Sequence, residues 1–260
     1  MNHFGTRRWR GEPGRSGEIG PPGPSGINVF CRVFWPQINQ WLQENQTVSY
    51  YFNTRTSGWI MKKGEITAIK NQINDEEWNG YLSYGDAFGT LVSEFGQFSL
   101  EFKKEIYKIG TKLFPFGRPS YKTIIILNFK RSGSTEKEVI LTDKLGYRQI
   151  YLYEGKVYFV CDDEIMSFRY VVGRWNTIYT ELNDDKEMDS YFSVNCNRPK
   201  SFKIRIPAED NFLYIGGWKA GDFFKGTIAR IDLYYQYMDD AERFPRNLLN
   251  KYIYSNFILY

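Results

Sequence analysis

Ala229-Arg230-Ile231-Asp232-Leu233-Tyr234-Tyr235 carries an apolar residue at every second position, with Arg230, Asp232 and Tyr234 between. A period of two is that of an extended strand with one face buried. The same rhythm recurs upstream. Phe98, Leu100 and Phe102 alternate with Ser99, Glu101 and Lys103, and Phe202, Ile204 and Ile206 alternate with Lys203 and Arg205. Ile124-Ile125-Ile126-Leu127 is a continuous apolar run, as in a strand buried on both faces. Ile150–Tyr153, then Glu154-Gly155, then Lys156–Val160 reads as a hairpin. Strands do not alternate with helices, so a parallel Rossmann-like sheet is excluded. Asp239-Asp240-Ala241-Glu242 is expected to start a short helix, and Tyr252 to Tyr260 is again strand-like. The pattern predicts an all-β, antiparallel domain.

Composition agrees. With 20 Tyr, 20 Phe and 7 Trp, the chain has the aromatic area for a large core, which excludes disorder over most of it. Its 260 residues suit one large β domain or two small ones. A net charge of +4 gives no case for nucleic acid as a partner. No apolar run reaches the roughly 18 residues that span a bilayer.

The N-terminal region is different. Residues 11–26 read GEP GRS GEI GPP GPS G, with glycine at 11, 14, 17, 20, 23 and 26. Strict period three with prolines between is the collagen pattern, because only glycine fits at the axis of three polyproline II chains. The alternative is a flexible Pro/Gly linker that keeps register. Gly5 is in phase, but position 8 is Arg, so the register stops there. The triplets would make a rod of roughly 50 Å at about 3.1 Å per residue, too short to be stable alone. The expected organisation is a basic segment at 1–10, collagen-like triplets at 11–26, a linker or neck at 27–48 and a β domain at 49–260. The N-terminus has no apolar signal core, so the sequence reads either as a piece of a longer secreted precursor or as a protein not secreted by that route.

There are three cysteines, Cys31, Cys161 and Cys196, and one histidine, His3, so zinc is not expected. An odd count in a secreted chain suggests one internal bridge plus one thiol for a partner chain; three buried, reduced thiols are the alternative. Cys31, five residues past the last collagen glycine, is a candidate for an interchain disulfide in a trimer, or packs on the β domain. Asn45-Gln46-Thr47 is a candidate N-glycosylation site.

Over roughly 80–240 the chain resembles laminin G-like domains. Phe212-Leu213-Tyr214-Ile215-Gly216-Gly217-Trp218, followed by Phe223-Phe224-Lys225-Gly226-Thr227-Ile228, resembles that family's closing strands. Gly173-Arg174-Trp175-Asn176-Thr177-Ile178 and Gln97-Phe98-Ser99-Leu100-Glu101-Phe102 resemble two others. The resemblance implies a concanavalin-like jelly roll of two antiparallel sheets. Laminin G domains of the thrombospondin type also occur beside collagen triplets. The family's usual cysteine near the F-x-G-x-I strand is missing, since position 227 is Thr. Its disulfide is therefore not carried over, and Cys161–Cys196 is the preferred pair.

The resemblance also implies calcium as a cofactor, at a loop rim. Calcium needs six to eight oxygens, for which Asp162, Asp163 and Glu164 in one loop and Asn183, Asp184 and Asp185 in another are the candidates. Ordinary solvated turns have the same composition. Arg198, Lys200, Lys203 and Arg205 form a basic stretch suited to sulfate groups, or merely a soluble strand face. Lys103, Lys104, Lys108 and Lys112 form a second. Concanavalin-like folds also host glycosidases, but these need two flanking carboxylates, and no E-x-D-x-x-E pattern is present. The chain reads as non-enzymatic. The leading expectation is a secreted, trimeric extracellular-matrix protein whose β domain binds matrix proteins or sulfated glycans. The alternative is the lectin-like head of a surface or viral fibre, with a glycoside hydrolase disfavoured.

Overall fold

The computed structural model describes residues 48–51, 59–62, 65–70, 79–85, 89–94, 97–109, 121–183, 188–195, 197–204, 213–219 and 221–237. Their regular structure is entirely β. The expectations for 1–47, including the triplets, Cys31 and Asn45, lie outside these residues, as do those for Cys196, Asp184, Asp185, Arg205 and 238–260.

Seventeen strands follow one another. They are β1 (Val48–Tyr51), β2 (Trp59–Lys62), β3 (Glu65–Ile69), β4 (Gly80–Tyr84), β5 (Thr90–Glu94), β6 (Gln97–Glu101), β7 (Ile106–Ile109), β8 (Tyr121–Lys130) and β9 (Glu138–Asp143). Then come β10 (Arg148–Tyr153), β11 (Lys156–Cys161), β12 (Glu164–Arg169), β13 (Trp175–Asn183), β14 (Ser190–Val194), β15 (Lys200–Phe202), β16 (Leu213–Ile215) and β17 (Thr227–Tyr237). Sheet I has the order β15-β14-β13-β8-β17-β6-β5, with β1 also paired to β17. Sheet II has the order β12-β11-β10-β9-β16-β7-β4-β3-β2. Every strand pair is antiparallel.

The two sheets pack face to face, as expected for a jelly-roll sandwich. Leu127, Phe129, Ile178, Leu182, Ile231 and Leu233 of sheet I meet Ile109, Ile140, Ile150, Leu152, Phe159 and Ile215 of sheet II in one core. Phe102, Phe129 and Phe224 close one part of it, with ring centres 5.8 Å (Phe102–Phe224) and 6.5 Å (Phe129–Phe224) apart. The register of β17 breaks between Ile228 and Arg230. That bulge turns Ile228 inward along with Ile231 and Leu233, which simple alternation does not do. The strand predicted around Phe202 ends there: Lys203 and Ile204 follow outside it, although Ile204 remains buried.

The outer face of sheet I is also buried. Ile124, Ile126, Thr177, Tyr179, Glu181, Arg230 and Asp232 are each 8% exposed or less. The expectation that Ile124–Leu127 is buried on both faces therefore holds. Among the described residues, the exposed aromatic side chains Tyr81, Tyr84 and Tyr153 lie on sheet II, and Tyr147 in the turn before β10.

Candidate binding face

The β10–β11 hairpin builds this face. Glu154 and Gly155 connect the strands with φ of 46° and 72°, the paired left-handed geometry that matches strand twist in a tight hairpin. The turn fixes the register, so Tyr153 faces Lys156 and Tyr151 faces Tyr158. Because Ile150 and Leu152 point into the core, Tyr151 and Tyr153 point out. The rings of Tyr151 and Tyr158 stack at 4.9 Å, with 5° between their planes. Tyr153 leans at 50° to Tyr158, 6.5 Å away. Lys137 sets its ammonium 4.9 Å from the centre of the Tyr151 ring and 3.7 Å from Asp222.

Pairing carries the face sideways. Tyr158 lies opposite Ser167, and Lys156 opposite Arg169. Tyr151 lies opposite Val139, which bridges to Phe223, and Phe223 stacks on Tyr84 at 5.3 Å. Burial, then the neighbouring Tyr158, raises the Tyr151 phenol above its ordinary value. A hydrogen bond with Glu154 raises that of Tyr153. Both hydroxyls therefore stay protonated at neutral pH, able to donate and accept. Ring edges, hydroxyls and ammonium groups on a firm sheet are the equipment of a binding surface.

At one end of the sandwich lies a buried charged knot. Arg148 is fully enclosed, its guanidinium 3.7 Å from an Asp143 carboxylate oxygen and 3.8 Å from one of Asp162. Asp143 also accepts the backbone N–H groups of Gly146 at 2.6 Å and Arg148 at 3.2 Å. Burial is the largest influence on Asp143 and raises its pKa against the pull of Arg148 and these N–H groups. Over the knot runs the turn 144–147. Gly146 has φ +79°, and a Cβ there would lie 2.6 Å from the Trp218 ring.

The residues singled out in the sequence fall as follows. Asp162 is turned against Arg148, and its backbone N–H donates to the Tyr147 carbonyl. Asn183 lies on the other sheet, its side-chain amide donating to the Asp189 carbonyl. Asp163 is exposed in the turn after β11. The two loops offered as alternative calcium sites thus lie on different sheets, and Asp162 of the first already faces the Arg148 guanidinium. Among the described residues, no group of three or more His, Cys, Asp or Glu side chains is arranged to hold a metal.

The cysteine expectation needs correction. Cys161 is a free thiol, so the preferred pair with Cys196 is not formed. Strand alternation points Cys161 into the core opposite Arg148, where burial pushes its pKa up to about 12. Arg198, Lys200 and Lys203 are exposed, as expected for a basic surface. Lys200 is also engaged: it donates to the Ser167 carbonyl at 3.0 Å and covers the Phe168 ring at 4.9 Å. In the second basic group, Lys103 pairs with Glu101 at 3.4 Å. The sequence reading missed the tyrosine face. Its signal was present as Tyr151, Tyr153 and Tyr158 placed symmetrically about Glu154-Gly155.

The architecture defines a β-sandwich of the jelly-roll type. Solved structures that share the fold include binding domains of botulinum neurotoxins. The chain is similar to the botulinum neurotoxin serotype D binding domain, with 13% identity and a TM-score of 0.55 over 82% of this chain and 52% of that one. It is similar to the binding domain of botulinum neurotoxin DC, with 11% identity and a TM-score of 0.53 over 83% and 52%. A botulinum neurotoxin type C structure gives 11% identity and a TM-score of 0.55 over 83% and 52%. The chain spans about half the length of these structures, and at such identities the likeness is one of fold. No protein family and no curated protein matches the sequence, so the laminin G-like resemblance is retained only as the jelly-roll class.

Proposed function

We propose that this domain is a non-catalytic binding head that takes glycans on the outer face of sheet II. The carrying observation is the tyrosine cluster Tyr151, Tyr153 and Tyr158, displayed on a hairpin whose turn fixes its register. Tyrosine suits sugars because one side chain offers an apolar ring and a hydroxyl at little entropic cost. Fold neighbours lend support. A serotype D neurotoxin ligand-binding domain is known in complex with N-acetylneuraminic acid, and the type C toxin depends on two ganglioside molecules to enter cells. The DC binding domain is known in complex with rat synaptotagmin II, a protein. These neighbours are binding domains, which favours the non-enzymatic reading. The lectin-like alternative is thereby better supported than the matrix protein.

The basic stretch Arg198, Lys200 and Lys203 is a proposed auxiliary contact for sulfated glycans. The Gly-X-Y run remains a proposed trimerising element of a secreted protein, and three heads on one stalk would turn weak single-site binding into avidity. The test is a printed glycan array probed with the full chain and with Tyr153→Ala and Tyr158→Ala. The expected result is a defined set of bound glycans, lost in both variants while the melting temperature holds. Binding to no glycan at all would refute the proposal.

A further inference from the structure

We infer that Lys156 and Arg169 together form the seat for an acidic group, so that the ligand of the tyrosine face is a glycan bearing a carboxylate or a sulfate. This inference rests on the glycan reading and narrows its ligand class. The pairing register puts Tyr153, Lys156 and Arg169 in one row across β10, β11 and β12. Adjacent strands lie about 4.8 Å apart, so the two cationic stems rise side by side from the sheet. Like charges placed directly opposite each other repel and cost stability.

Several other cations are answered by a carboxylate, while Lys200, beside β12, is held by the Ser167 carbonyl and the Phe168 ring. Lys137 has Asp222, Lys225 has Glu136, Lys103 has Glu101 and Arg131 has Glu138. Among the described residues, no carboxylate pairs with Lys156 or Arg169. Glu154, in the adjoining turn, is held by the Tyr153 hydroxyl. The row is therefore a charge pair with no carboxylate complement among the described residues, open to an acidic ligand. Arginine's planar fork takes two oxygens of a carboxylate or sulfate at once, and lysine adds a third contact as a point charge. Tyr153, next in the row and 37% exposed, meets the sugar that carries the acid.

The test measures binding of the full chain to immobilised lactose, sialyllactose and sulfolactose, with Lys156→Gln/Arg169→Gln as the variant. Both residues lie on the surface side of the sheet, and an unchanged melting temperature confirms folding. The wild type is expected to prefer an acidic sugar over lactose by about tenfold or more. The variant should lose that preference while keeping the weaker lactose binding. Whether the sialyl or the sulfo form leads identifies the acid. Equal binding of lactose and both acidic sugars, or a preference that survives in the variant, overturns this inference and leaves the glycan reading standing. Loss of all sugar binding, on the array as well, overturns both. Capture on phosphatidylserine vesicles without sugar binding, abolished in the variant, would assign the pair to a lipid surface and overturn the inference too.

Discussion

Replacing Arg148 with methionine removes the cation from the knot at the end of the sandwich and leaves Asp143 and Asp162 buried without it. At an effective dielectric of 20, each contact near 4 Å is worth about 4 kcal/mol of gross attraction. The gross sum overstates the loss, because burying the guanidinium was itself costly and a stranded carboxylate can take up a proton. Escape by protonation at pH 7 costs about 1.4 kcal/mol per unit between the solution pH and the ordinary carboxylate value, or about 4 kcal/mol for each group. Measured losses from removing one partner of a buried pair cluster at about 3–5 kcal/mol, and Arg148→Met is expected to fall there at pH 7. The deficit should shrink as the pH is lowered toward 5, because the stranded carboxylates then protonate more cheaply. Replacing all three charges, as Asp143→Asn/Arg148→Met/Asp162→Asn, should recover most of the loss, since an uncharged cluster has nothing to compensate. The assay is urea unfolding followed by tryptophan fluorescence, at pH 7 and pH 5. A loss below about 1 kcal/mol at pH 7, or one indifferent to pH, would refute the claim that the knot is electrostatic.

Three further outcomes are expected. Asp143 has a raised pKa in the folded protein, so on acidification the native state binds a proton before the unfolded chain does; its contribution to stability should rise as the pH falls from neutral toward the ordinary value of 3.8, seen as a pH-dependent stability difference between wild type and Asp143→Asn, and a flat difference would contradict it. Gly146→Ala should destabilise by about 1–3 kcal/mol in the same unfolding assay, because the new methyl meets Trp218 and the left-handed backbone disfavours it; Gly155→Ala, with open space around it, should cost less. The Cys161 thiol should resist a disulfide reagent in the native protein and react at once in urea, and rapid native labelling of that residue would show that β11 opens.

The sequence pattern exposed the parts of the fold whose cause is local. Alternation at Ala229–Tyr235, the apolar run at Ile124–Leu127 and the Glu154-Gly155 hairpin all depend on neighbours within a few positions. Sheet order does not: β8 lies between β13 and β17, strands about fifty and a hundred residues away, and only the completed core selects that arrangement. The same holds for sites. Asp162 stands in the sequence only as a calcium candidate, and no local pattern links it to Asp143 and Arg148, which the β9–β10–β11 register brings to it. Nothing local links Lys156 to Arg169; the pairing of β11 with β12 sets one opposite the other. Cys161 was read as half of a bridge because counting cysteines ignores which face of a strand each one occupies. The shift at Ile228–Arg230 likewise depends on how β17 bends against β8.

The ammonium of Lys200, seated on the Ser167 carbonyl, also bears on how such heads behave when crowded. Among the described residues, strand β12 closes one side of sheet II with β11 as its one ladder partner, so main-chain groups on its other edge are open to a passing strand. A lysine clasping one of those carbonyls stops that edge from serving as a template. Several identical heads on a common stalk would then stay separate particles instead of zipping together into a continuous ribbon.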